Sequence, residues 1–198
     1  METNTKNSND SLQNKIISKT DINKNSNTDI NKNINKDLYK TLVLEEIIFI
    51  KPIDLNKKID DIILSKLKQN VEGKCLKYGY VMPNSIEIKK RSSGIINNAS
   101  FDGNTTYKIN YTAELCNPCI NQNIQCKVEN IDKSQLICYI DKPELSPIEI
   151  YLFKHNHSGN VEFLSLKQND IINVKVGISN YKYKDKQIIC IGEYLSKA

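Results

Sequence analysis

The sequence predicts an α+β chain: an antiparallel sheet carrying one helix, followed by a five-stranded barrel. Three observations predict it. One amphipathic helical stripe occurs early. Alternating segments of strand length fill almost everything after it. Beyond Pro118 the strand candidates number five, with a longer insert after the third.

The ordered part is expected to begin at Tyr39. Residues 1–38 hold ten asparagines, six lysines and five acids, with no Gly, Pro or aromatic residue. Such a segment buries too little apolar surface to offset an ordering cost of about 1–2 kcal/mol per residue. It is expected to be a disordered tail, and NTDINKNINK at 27–36 partly repeats TDINKNSN at 20–27. It contains neither the apolar run of a signal peptide nor the arginines of a transit peptide. No run of 18 apolar residues occurs elsewhere. The expectation is a soluble, intracellular protein whose six cysteines are reduced thiols.

TLVLEEIIFI (41–50) is rich in β-branched residues and reads as a strand ended by Pro52. Asp54 then looks like the N-cap of a helix over LNKKIDDIILSKLKQ. Leu55, Ile59, Ile62, Ile63 and Leu67 make its apolar face, a core stripe. VEGKC, KYGYVM and SIEIKKR follow as strands, GIINNASFDGN as a loop, and TTYKINYTAEL as an alternating strand. QCKVENI, SQLICYI, PIEIYLF, DIINVKVGIS and KQIICIGEYL are the five later strands, interrupted by KHNHSGNVEFLSLKQN. That plan is the one of an OB-type barrel. The expected boundaries are thus 1–38, 39–118 and 119–198.

Net charge is +5, of which the three segments carry +1, +3 and +1. None is a strong polycation, so tight unaided nucleic-acid binding is not indicated. The chain has no P-loop, no GxGxxG and no DxD, which speaks against an enzyme acting alone. Cys116-Asn-Pro-Cys119 is a single CxxC pair; Cys126 and Cys138 lack close mates, so a four-ligand zinc site is not expected. His155 and His157 have no third ligand nearby and read as a polar loop. We therefore assign no catalytic residue, no metal and no cofactor.

Gly73 and Gly79 fall within VEGKCLKYGYV (71–81), which reads as a bent strand-turn-strand with Lys74, Lys77 and Tyr78 lifted outward. A protruding loop of that kind either caps its own domain or enters a partner. A family resemblance rests here. An apolar strand, Pro52 and a helix precede Glu72-Gly73-x-Cys75 and Gly79-Tyr80-Val81. Tyr107-x-Ile109-x-Tyr111-x-Ala113, Pro118 and a barrel closing at Ile191-Gly192 follow. Over residues 39–195 the chain resembles the RNA polymerase stalk subunit family, namely the seventh subunit of eukaryotic RNA polymerase II and its archaeal counterpart.

The resemblance implies a tip domain that docks on the polymerase core through Glu72, Gly73, Lys74, Cys75, Gly79 and Tyr80. It implies an S1-like OB barrel near emerging RNA, a helical partner like the fourth subunit, and no catalysis. The tail, the near-balanced barrel charge and the short end after Gly192 depart from the family. With an Asn, Lys and Ile excess suited to an AT-rich genome, they favour a large cytoplasmic DNA virus as the source. Viral factory and virion would then be the location, or the nucleus if the source is cellular. For RNA, cations and aromatics should share a barrel face. NYKYKDKQ offers Tyr181, Lys182, Tyr183, Lys184 and Lys186; Lys127, Tyr139, Tyr151 and Lys175 lie on strands. A free-standing OB-fold RNA-binding protein is the alternative, and a thiol or metal protein built on CNPC is the third reading.

Overall fold

The computed structural model describes residues 35–56, 58–96, 102–140 and 146–198. The expected disordered tail lies outside them up to residue 34. Asp37–Ala198 form one compact unit; of the other, Met1–Lys36, only the last two residues are described.

The expected order of sheet with helix, then barrel, is what the structure contains. The first sheet is organised on strand β6 (Thr105–Cys116). Its alternation of Tyr107, Ile109, Tyr111, Ala113 and Leu115 puts five apolar side chains on one buried face. Burying one such large side chain contributes about 1.5–3 kcal/mol. The edge strand β1 (Tyr39–Ile50) runs antiparallel along the whole of β6. On other parts of β6 pair β3 (Gly79–Val81), β4 (Glu87–Arg91) and β5 (Ile95–Ile96), and β2 (Cys75–Leu76) extends the sheet beyond β3.

Helix α1 (Ile59–Val71) covers the apolar face with Ile63, Leu67 and Val71 buried. It starts later than expected. Pro52–Asp54 instead form a short 3-10 turn, and Asn56 Oδ1 accepts the Lys58 N–H at 2.8 Å. This Asx turn redirects the chain before the helix can begin. Asp54 is therefore no N-cap; its carboxylate pairs with Lys66 at 3.1 Å. Leu55 leaves the stripe and is exposed.

The barrel closes in the order β7 (Asn123–Ile131), β8 (Gln135–Tyr139), β9 (Ile148–Phe153), β11 (Ile188–Lys197), β10 (Ile171–Asn180) and back to β7. All neighbours are antiparallel except β9 and β11. A third strand lying parallel to the fifth is the OB arrangement, and closure leaves no edge for other chains to extend.

The insert between β9 and β10 plugs one end. A 3-10 turn (Lys154–His157) and a single-turn helix α2 (Val161–Leu164) bring Phe163 into the core. Asn160 caps α2 by accepting the Phe163 N–H at 3.0 Å. His157 is buried here: Nδ1 donates to the Phe153 carbonyl at 2.8 Å, and Nε2 accepts the Tyr194 N–H at 2.9 Å. Those partners require the neutral Nδ1–H tautomer. Its ring stacks on Phe163 with centroids 4.4 Å apart. Among the described residues, no helix is long and apolar enough to cross a membrane.

Candidate functional site

Helix α1 ends where the two-glycine segment begins. Gly73 takes φ +68°, the left-handed turn that reverses the chain. Its N–H donates to Val81 O, and Val81 N–H returns to Lys74 O, each at 3.0 Å. Lys74 does not reach outward. Its ammonium donates to the carbonyls of Gln69 (2.6 Å) and Asn70 (3.3 Å), which the end of the helix leaves unpaired. Glu72 accepts the Asn84 N–H. The hairpin of β2 and β3 then turns at Lys77 and Tyr78, both exposed.

Gly79 has φ +132°, and a Cβ placed there would lie 2.5 Å from the Cys116 carbonyl oxygen. The residue lets β3 approach the end of β6. That approach aligns one rung across four strands: Cys75, Tyr80, Cys116 and Tyr39. Leu76, Val81 and Leu115 belong to the core under the helix. Cys75, Tyr80 and Cys116 face the other way, and with Leu38 they join the barrel core. This last rung of the sheet is the seam. Burial pushes the Cys75 thiol up to about 12, helped by the Asp185 charge. Burial likewise raises Cys116 and Tyr80, and takes Cys190 to about 11.

The barrel meets the hairpin with the turn between β10 and β11. Cys75 N–H donates to Asp185 O, and Lys184 N–H donates to Cys75 O, both at 2.8 Å. Tyr181 Oη donates to the Lys77 carbonyl at 3.4 Å. Asp185 shapes the turn by accepting the Lys182 N–H at 2.6 Å. Reciprocal backbone bonds hold the loop by its main chain, so side chains at 182, 183, 184 and 186 remain exposed. The Lys184 ammonium lies 5.4 Å from the Tyr183 ring centroid, and the Lys77 ammonium 5.3 Å from that of Tyr78.

Of the six residues expected to meet a polymerase core, Cys75, Gly79 and Tyr80 are buried, while Glu72, Gly73 and Lys74 are partly exposed. The first three shape the hairpin; the surface it presents is Lys77 and Tyr78. The residues expected to meet RNA fall in separate places. Tyr181, Lys182, Tyr183, Lys184 and Lys186 share the turn. Lys127, Tyr139 and Tyr151 lie on the outer face of β7, β8 and β9, with Lys127 opposite Tyr139 and Tyr139 opposite Glu149. Glu149 accepts the Tyr139 hydroxyl at 2.9 Å. Burial, then this carboxylate, pushes Tyr139 up to about 12, and the same two causes raise Tyr151. Lys175 stands apart on β10, in register with Glu193.

Two charged residues escaped the sequence reading. Glu149 sits among the tyrosines of the strand face, and Asp185 closes the turn, a role that nothing in NYKYKDKQ advertises. Of the KKR run at 89–91, Lys89 pairs with Glu87 (2.6 Å) and Arg91 with Asp60 (2.7 Å). Cys116 is buried and Cys119 exposed. Among the described residues, no three or more His, Cys, Asp or Glu side chains are grouped to hold a metal ion.

No protein-family model matches the chain. Over 167 residues, 78% of this chain and 81% of the relative, it is 25% identical to a protein of Acanthamoeba polyphaga mimivirus named "Putative DNA-directed RNA polymerase subunit". That likeness, spread over both the sheet and the barrel, supports an RNA polymerase subunit.

Proposed function

We propose that the chain is a non-catalytic stalk subunit of a DNA-directed RNA polymerase. The observation that carries the reading is the likeness to a viral polymerase subunit over 78% of the chain. The architecture supports the finer assignment. A sheet-and-helix unit precedes a closed five-stranded barrel with the OB strand order, as the stalk family requires.

In this reading the hairpin end of the first sheet docks on the polymerase core. Cys75, Gly79 and Tyr80 fix its shape, and Glu72, Gly73, Lys74 and the exposed turn supply the contact. The barrel guides emerging RNA by weak charge and stacking contacts. Weak contacts suffice, because tethering at the polymerase raises the effective concentration of transcript. Partners are the core subunits, with a helical subunit like the fourth as a second neighbour. The location is intracellular: host cytoplasm and virion for a viral source.

The test is affinity purification of the tagged chain from its native setting, read by mass spectrometry. Recovery of the large polymerase subunits is expected. Recovery of ribosomal or RNA-processing factors without polymerase would overturn the reading in favour of a free-standing OB-fold RNA-binding protein.

A further inference from the structure

We infer that the outer edge of β1 pairs with β1 of a second copy, joining two chains through one antiparallel sheet about a two-fold axis at Leu44. Strand β1 is twelve residues long, and among the described residues no strand pairs with its outer edge. Proteins usually guard such an edge with Pro, Lys or a bulge. From Thr41 to Ile50 there is no Pro and no Lys, and the register with β6 runs without a shift.

The backbone shows which groups the edge offers. Asn117 N–H donates to Leu38 O, and this pair continues the register of β1 and β6. The even residues of β1 therefore turn their N–H and C=O to β6, and the odd ones turn theirs outward. Met82 N–H donates to Glu114 O, which agrees: even residues of β6 serve the strands on its far side. At the two ends the outward groups are engaged, Tyr39 at the seam and the Phe49 carbonyl by the Lys66 ammonium at 3.4 Å. Thr41, Val43, Glu45 and Ile47 remain, a run centred on Leu44. The odd side chains also line an open sheet face, with Val43 71%, Ile47 44% and Phe49 58% exposed.

A second copy fits this run in one register. About a two-fold axis at Leu44, Thr41 faces the partner's Ile47 and Val43 faces the partner's Glu45, so every outward N–H and C=O of the run gains a partner. Leu44 meets the partner's Leu44, and Val43 lies diagonal to the partner's Ile47. Lys40 lies diagonal to the partner's Glu46, within reach of a long side chain, and symmetry makes that contact twice. Among the described residues neither Lys40 nor Glu46 has an ion pair within its own chain. Sliding the strands by two residues sets Glu45 against the partner's Glu45 in one direction. In the other it leaves Ile47 opposite Tyr39, which packs at the seam.

The inference uses the edge alone and is independent of the stalk reading. Its test is sedimentation velocity on the full-length chain from about 1 to 100 µM, because a single strand edge is at the small end of interfaces and its pairing is weak. A dimer is expected to prevail at the upper end. Glu45→Pro should raise the dissociation constant at least about thirtyfold, since it removes an outward N–H while leaving the bonds to β6 in place. Lys40→Glu and Glu46→Lys should each weaken the dimer about tenfold, and the double variant should return to within about twofold of the parent. Leu44→Cys in a Cys119→Ser background should cross-link under mild oxidation, because the axis brings the two positions within disulfide reach. Thermal unfolding of each variant checks that the chain stays folded.

A parent that is monomeric over the whole range overturns the inference and leaves the edge to a strand of a different chain. So does a dimer that a folded Glu45→Pro variant leaves unchanged, since another surface then holds it. If the single charge reversals weaken the dimer and the double variant fails to restore it, the register falls and the inference with it.

Discussion

Gly79→Ala should be the most damaging single-methyl addition in the hairpin, and the structure sets its size. The backbone stands at φ +132°, a region L residues rarely adopt, which costs about 1–3 kcal/mol. The added Cβ meets the Cys116 carbonyl oxygen at 2.5 Å and Asn117 Cβ at 3.0 Å. Neither neighbour is a flexible side-chain end, so the strand must move, at about 1–3 kcal/mol more. The reduced freedom of the unfolded chain returns only about 0.4–1 kcal/mol. The net expectation is a loss of about 2–5 kcal/mol. Gly73→Ala is the control. It shares a positive φ, but its new Cβ finds only Tyr80 Oη at 3.8 Å, so strain alone applies, about 1 kcal/mol net. Urea unfolding of both variants measures the difference. Thermal midpoints should fall by about 5–15 °C and 2–4 °C respectively. A second readout is thiol access, because displacing β3 opens the rung that covers Cys75 and Cys116. Equal losses in the two variants, or a Gly79→Ala chain with its thiols still protected, would refute the close approach of β3 to β6 as the reason for the glycine.

Native alkylation with iodoacetamide should modify Cys119 rapidly and spare the other five cysteines, all buried; peptide mapping that finds Cys75 or Cys190 labelled at the same rate would contradict the packing. Stability should decline as pH rises above about 8.5. The unfolded chain releases thiol protons near the ordinary value of 9.0, while burial holds those of Cys75 to about 12 and Cys190 to about 11. The unfolded state then binds fewer protons, so each thiol subtracts up to about 1.4 kcal/mol per pH unit between its two values, and a melting temperature flat from pH 8 to about 10 would count against it. His157→Ala should cost about 2–4 kcal/mol in chemical unfolding, since it removes the Phe163 stack and orphans the buried Tyr194 N–H. Asp54→Ala should cost under about 1 kcal/mol, because the Lys66 pair is partly solvated.

Much of the fold was legible because its strands alternate. The five barrel segments and β6 each place apolar residues at every second position, a period that burial on one face demands. The helix was legible from Ile59 on, since Ile63 and Leu67 lie on its buried stripe. Its start was not. Asp54 has the chemistry of an N-cap, and nothing local reveals that Lys66, about two turns into the helix, takes its carboxylate. The candidate site was half legible. Lysines and tyrosines in NYKYKDKQ announce an aromatic and cationic loop, and KYG announces an exposed turn. That the two turns meet depends on which strand ends the barrel brings to the seam, and no periodicity carries that information.

The seam also bears on how such a subunit could work. One rung, Cys75–Tyr80–Cys116, is buried in the barrel core, while the adjoining Leu76, Val81 and Leu115 belong to the core under the helix. The hairpin is held to the barrel turn by main-chain bonds that side-chain changes cannot remove. A partner that grips the hairpin therefore fixes the barrel turn with it. If docking and transcript contact were carried on separately jointed units, a long linker would let one move while the other stayed. Here only the short stretch from Asn117 to Gln122 separates β6 from β7, and Asn117 N–H is itself bonded to Leu38 O at 3.0 Å. Under the proposed stalk reading, attachment at one end would thereby orient the other.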